Sequence, residues 1–164
     1  MPHPDFGSVE FWDSRYIDAG NRSTFEWFFP YKAIDRAFES YLRPEKSERV
    51  LILGCDLVMD ARDMHELGDG SFDLIIDKGA LDCVVCGLSN SAGAIQMMDE
   101  VRRVLHPDGT FFLFSAGTAS NRLPYLKYNP TTWQITQVSL GQPMHVLALM
   151  LRSQAPTSSG QLKS

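Results

Sequence analysis

Residues 69–82 read DGSFDLIIDKGALD: an Asp-Gly turn, a short apolar run through Phe72, Leu74, Ile75 and Ile76, then the polar turn Asp77-Lys78-Gly79. Near-continuous apolar runs of this length suit strands buried on both faces, and such strands sit in the middle of parallel sheets covered by helices. A chain built round such a strand is α/β, and in open α/β sheets ligands gather where the strands end. The turn at 77–79 is therefore either a ligand-facing strand end or an ordinary solvated loop.

The flanking sequence supplies the rest of a layered fold. Val50 to Leu53, VLIL, reads as the first buried strand, with Gly54 behind it where a backbone can approach a ligand closely. Residues 91–105 carry Ile95, Met98, Val101 and Leu105 on one helical face, with Asp99 placed to pair with Arg102 or Arg103. The turn His106-Pro107-Asp108-Gly109 ends that helix and leads into TFFLFSA, a second buried strand. Residues 133–138 and 145–151 are β-rich runs separated by Gly141-Gln142-Pro143, which predicts an antiparallel hairpin. Towards the N-terminus, Ser8 is a candidate N-cap for a short aromatic helix, and residues 30–42 place Ile34, Ala37, Phe38, Tyr41 and Leu42 at helical spacing behind Pro30. The sum is an α/β sandwich with the sheet in the middle, in one domain over residues 1–152 and a polar, disordered tail over 153–164.

Charge and cysteines narrow the function. With 20 acidic and 15 basic residues the formal charge is −5, and no Lys/Arg run is long enough to track a phosphate backbone, so nucleic acid is not the expected partner. No apolar run approaches the roughly 20 residues that cross a bilayer, and residues 1–16 lack the pattern of a secretory leader, which points to a cytoplasmic protein. Three cysteines, an odd number, fit a reducing compartment. Cys83 and Cys86 form a Cys-x-x-Cys pair, but no further ligands stand at zinc-site spacing; buried, inert thiols and no metal are the expectation.

Several motifs in order, FWDSRY at 11–16, FEWF at 25–28, VLILGC at 50–55, MDARDM at 59–64, DGSFDLIIDKGALD, and VLHPDGTFFLF at 104–114, resemble the seven-strand class I S-adenosylmethionine-dependent methyltransferases. The likeness is strongest to the methyltransferase-like subgroup that includes lysine methyltransferases of translation elongation factor 1-alpha. It implies a Rossmann-like sandwich, S-adenosylmethionine as cofactor, and a protein lysine as acceptor, with a translation factor as the candidate partner. Position by position, it implies that Trp12, Tyr16 and Trp27 help enclose the cofactor and that Gly54 lies beneath its amino-acid portion. Asp60 and Ala61 would meet the adenine, and Lys78 would face the cofactor. Aromatic faces suit a sulfonium and an adenine ring, and a carboxylate can accept from an exocyclic amine. Read without the family, Trp12 and Trp27 are core aromatics. Asp77 and Asp82 could orient the incoming amine, Asp82 being the better candidate for a helix cap.

The sequence also departs from the family. Gly54-Cys55 is followed at once by Asp56-Leu57-Val58-Met59-Asp60, whereas the family places a glycine-rich loop, a helix, a second strand ending in a ribose-binding acid, and a further helix there. A parallel crossover takes about a dozen residues or more, and four residues cannot supply one. The expected fold is thus an incomplete sandwich, truncated internally near residues 55–57, with the second strand and its flanking helices absent. A non-catalytic, truncated member of the lineage acting as a protein-interaction module is the alternative. A nicotinamide oxidoreductase is weaker, because no GxGxxG follows Leu53.

Overall fold

The computed structural model describes residues 8, 10, 11, 14, 28, 48–54, 59–86, 90–128, 133–138 and 147–153. In chain order these form strand β1 (Val50–Leu53), strand β2 (Phe72–Lys78), helix α1 (Ala80–Cys86), helix α2 (Asn90–Val104), strand β3 (Leu105–Ser115), helix α3 (Ala119–Leu126), strand β4 (Trp133–Gln137) and strand β5 (Leu147–Ser153). The sheet order is β1-β2-β3-β5-β4. The first three strands run parallel, while β5 pairs antiparallel with both β3 and β4. The expected parallel trio, the α2 helix and the closing antiparallel pair are all present. Among the described residues between β1 and β2 there is neither helix nor strand.

Parallel strands β2 and β3 form the centre because their side chains are apolar on both faces. One face carries Leu51, Leu53, Ile75, Phe111, Leu113, Leu149 and Leu151, covered by Leu81 of α1, Ala94, Met97, Met98, Val101 and Val104 of α2, and Leu126 of α3. The other carries Leu74, Ile76, Phe112, Phe114, Ala148 and Met150, with Phe28 and Val138 packed against them. In α2 the buried stripe runs through Ala94, Met97, Met98, Val101 and Val104, so the stripe is rotated from the expected one: Ile95 is half-buried and Leu105 already belongs to β3.

Further expectations are corrected by packing. β1 is not buried on both faces: Leu51 and Leu53 point to the helices, but Val50 and Ile52 are 42% and 37% exposed, because β1 is the last strand of the sheet on that side among the described residues. The His106-Pro107-Asp108-Gly109 turn is absorbed into β3 as an interruption of the ladder, whose register jumps from Phe72 opposite Leu105 to Leu74 opposite Thr110. A Cβ on Gly109 would stand 2.7 Å from the Leu105 side chain and 2.8 Å from the His106 carbonyl oxygen, so this turn admits only glycine. Ser153, expected to open the tail, is the last residue of β5, opposite Trp133. Residues 154–164, the 30–42 helix and the Gly141-Gln142-Pro143 turn lie outside the described residues. The expected Ser8 cap is present: its hydroxyl accepts the Phe11 backbone N–H at 3.1 Å.

Candidate functional site

The three parallel strands end together. Leu53 stands opposite Asp77 and Lys78 opposite Phe114, so Gly54, the 77–79 turn and Ser115 share one edge of the sheet. Gly54 (φ 81°) and Gly79 (φ 99°) both take the left-handed backbone conformation that side chains disfavour, so the chain leaves two adjacent strands through glycine. Gly54 is exposed and Lys78 half-buried. Strand alternation sets Lys78 on the face of Leu74 and Ile76 and Asp77 on the helical face.

Asp77 caps α1. Its side chain is fully buried, and its two oxygens accept the backbone N–H groups of Ala80 at 2.6 Å and Leu81 at 3.0 Å. Desolvation outweighs these bonds and raises the carboxyl to about 7. Asp82, the expected cap, instead accepts from the Ser115 hydroxyl, from the Ala116 N–H at 2.6 Å and from Arg122 Nε and Nη2 at 3.1 and 2.9 Å. Ser115 Oγ in turn accepts from Arg122 Nε at 2.8 Å and the Gly117 N–H at 3.0 Å. A Cβ on Gly117 would overlap the Arg122 guanidinium. This buried knot fastens α1, the end of β3 and α3 to one another. Neither carboxylate is therefore placed to orient an incoming amine, because each is committed to holding the protein's own groups.

Asp60 and Ala61 lie in the segment between the first two strands. Ala61 packs against the core beneath the helices. The Asp60 carboxylate is partly exposed and gripped by Arg62, through its backbone N–H at 2.9 Å, its Nε at 2.9 Å to both oxygens and its Nη2 at 2.6 Å. The Arg62 guanidinium holds this carboxyl below the usual aspartate range. Of the remaining expected site residues, Trp12, Tyr16 and Trp27 fall outside the described residues. Phe28, next to Trp27 in the FEWF motif, packs on the face that carries Lys78 and has a left-handed backbone (φ 63°), a conformation rare for a bulky side chain.

Of the described cysteines only Cys86 departs from the expected buried, inert thiols, and Cys55 lies outside the described residues. Cys83 is half-buried, its thiol pushed up to about 12 chiefly by burial, but Cys86 is exposed. Among the described residues no three His, Cys, Asp or Glu side chains converge as a metal site would need. No described helix is long and apolar enough to cross a membrane. The Arg122 knot, the Asp77 cap and the Arg62 grip were not read from the sequence. Asp77 and Asp60 find their partners within four residues, whereas the Asp82–Arg122 pairing spans 40 residues and is set by the fold.

S-adenosylmethionine suits the residues that remain on this edge. An exposed, left-handed glycine follows β1, so backbone at that strand end is open to close approach by a ligand, and a second left-handed glycine follows β2.

Comparison with known proteins gives a consistent result. A family described as "Methyltransferase domain" matches residues 24–113. "EEF1A lysine methyltransferase 4" of Mus musculus is 23% identical across 99% of this chain and 82% of its own length. That alignment runs over 212 positions against the 164 residues here, so the mouse protein carries at least 48 residues with no counterpart in this chain. The human "Citrate synthase-lysine N-methyltransferase CSKMT, mitochondrial" is 40% identical over 72 residues, 44% of this chain and 29% of its own. Among solved structures, a TehB-like SAM-dependent methyltransferase from Corynebacterium glutamicum superposes with a TM-score of 0.57 at 14% identity, covering 88% of this chain and 97% of that one.

Proposed function

The chain belongs to the methyltransferase-domain family, and from that premise we propose an S-adenosylmethionine-dependent enzyme whose acceptor is a lysine side chain of a protein, of the elongation factor 1-alpha kind. The observation that carries this reading is the alignment of nearly the whole chain with a lysine methyltransferase of that factor, where the match to the citrate synthase enzyme stops at less than half. The partner is a protein and the compartment the cytoplasm, in keeping with the acidic charge and the odd cysteine count.

When bound, S-adenosylmethionine supplies a methyl group on an electrophilic sulfonium. The chain's own task is to hold the acceptor amine in line and uncharged, which desolvation achieves without a dedicated base. Gly54 gives the close backbone approach, Asp60 and Ala61 receive the adenine, Lys78 borders the cofactor, and Trp12, Tyr16 and Trp27 enclose it. The Asp77 cap and the Asp82–Arg122 knot keep the strand ends fixed while the acceptor docks. The block of residues absent after Gly54 is placed near 55–57 in this reading, and with it goes the ribose acid.

Incubation of the full chain with radiolabelled S-adenosylmethionine and either elongation factor 1-alpha or citrate synthase tests the proposal. Label on a lysine of the elongation factor, lost in Asp60→Ala, is expected. Transfer to citrate synthase alone would reassign the acceptor, and transfer to neither, with no cofactor binding, would favour a non-catalytic interaction module using the exposed Val50 and Ile52.

A further inference from the structure

The segment that carries Asp60 and Ala61 has no strand or helix of its own. Residues 59–71 form successive turns, with Asp63 N–H donating to Asp60 O at 2.9 Å and Leu67 N–H to Met64 O at 2.8 Å. Two turns of this kind do not fix a segment in space; something must dock it.

The docking comes from the last turn of α2. Glu100 Oε2 accepts the Met64 N–H at 2.7 Å. Arg103 donates from Nη2 to Met64 O at 2.8 Å, and from Nη1 to Leu67 O at 2.7 Å and to Asp69 Oδ1 at 2.8 Å. Its remaining N–H groups meet Glu100 at 2.8 and 2.7 Å. All five guanidinium donors are thereby used. The Arg103 carbonyl accepts the Gly70 N–H at 2.9 Å, and the Met64 side chain beneath is 1% exposed. Behind the turn, Val101 and Val104 are completely buried, so the clamp stands on the rigid core rather than on a surface helix.

We infer that Glu100 and Arg103 are positioning residues for the cofactor, acting through the segment that presents Asp60 and Ala61; this rests on the methyltransferase reading above. In a chain with no second strand or flanking helices among its described residues, α2 supplies the polar clamp on this segment, beside the packing of Met59, Ala61, Met64 and Leu67 on the core. A competent position populated only when the clamp is closed makes the apparent cofactor affinity proportional to the closed fraction. Lysine cannot replace Arg103, because an ammonium lacks the planar fork that reaches Met64, Leu67 and Glu100 together.

The test uses the full chain with Arg103→Met, Arg103→Lys and Glu100→Gln, reading methyl transfer and amide hydrogen exchange side by side. In Arg103→Met the KM for S-adenosylmethionine is expected to rise about tenfold at an unchanged kcat, the result of a docked fraction reduced to about one tenth. Exchange should quicken at Met64, Leu67 and Gly70 while β4 and β5 keep their protection. Arg103→Lys should restore little, and Glu100→Gln, which keeps an acceptor for Met64, should lie between. An unchanged KM, or a loss of protection spread evenly over the domain, would overturn the inference. If the parent binds no cofactor at all, the methyltransferase reading fails instead, and exchange at Met64 and Leu67 still decides whether the clamp exists. Should Arg103→Met not fold, Asp69→Ala, at a side chain 82% exposed, removes one clamp contact; no change in exchange at 64–70 would then count against it.

Discussion

On one side of β2 the sheet continues through β3, β5 and β4, with Phe111, Phe112, Leu113 and Phe114 at most 1% exposed and the Asp82–Ser115–Arg122 knot closing the strand ends. On the other side, among the described residues, stands only β1, four residues long, with every second side chain partly in water, followed by turns clamped from α2. Of the residues proposed for the cofactor, Gly54 follows β1 and Asp60 and Ala61 lie in the turns after it, all on the thin side. A parallel sheet can lose strands from one edge and keep its centre, because the apolar burial that stabilises it is concentrated in β2 and β3. What it loses is the scaffold under one half of the site.

The largest effect belongs to Asp82→Ala, which strands Arg122 as an unpaired buried cation; a loss of about 3–5 kcal/mol is expected in denaturant unfolding. A loss below about 1 kcal/mol would mean that water reaches the knot. Next, Leu113→Ala should cost about 2–5 kcal/mol, as buried leucine truncations do. Ile52→Ala, at a side chain 37% exposed, should cost clearly less. Equal losses would show that β1 is covered as well as β3.

The same contrast has a pH signature. Asp77 titrates near 7 in the folded chain against 3.8 for an unburied aspartate, so the folded state holds the proton more tightly. Stability from this group is therefore greatest below about pH 4 and declines as pH rises through 7. Asp77→Asn should flatten that decline, whatever it does to the cap; an unaltered slope between pH 4 and 7 would assign the decline to other groups. The smallest expected effect is Arg49→Ala, which removes an ion pair to Asp73 of 3.8 Å with side chains 58% and 38% exposed. It should change stability by at most about 0.5 kcal/mol.

What the sequence revealed follows the same division. The apolar runs of β2, β3 and β5 are visible because both faces are buried, and the α2 stripe because its period is helical. β1 has the same apolar run as a central strand, and nothing local distinguishes a strand with two neighbours from one at an edge. Helix α1 is hidden because it is only seven residues long, contains Val84 and Val85, and takes its cap from Asp77 at the end of the preceding strand. Helix α3 is hidden by Pro124 in its interior. Asp82 and Arg122 are 40 residues apart, and Glu100 and Met64 36, so both contacts exist only once the sheet has formed. The helical pairing was readable in part: Asp99 bonds Arg102 as expected, while Arg103 takes Glu100.

Titration of the full chain with S-adenosylmethionine, followed by amide hydrogen exchange, tests the account most directly. Loss of one charge-assisted partner such as the ribose acid weakens binding about tenfold to a hundredfold. Saturable binding weaker than about 1 μM is therefore expected, with new protection at 59–69 and at 77–80 and none at 133–138. No saturable response at millimolar cofactor, or protection confined to the β4–β5 pair, would contradict it.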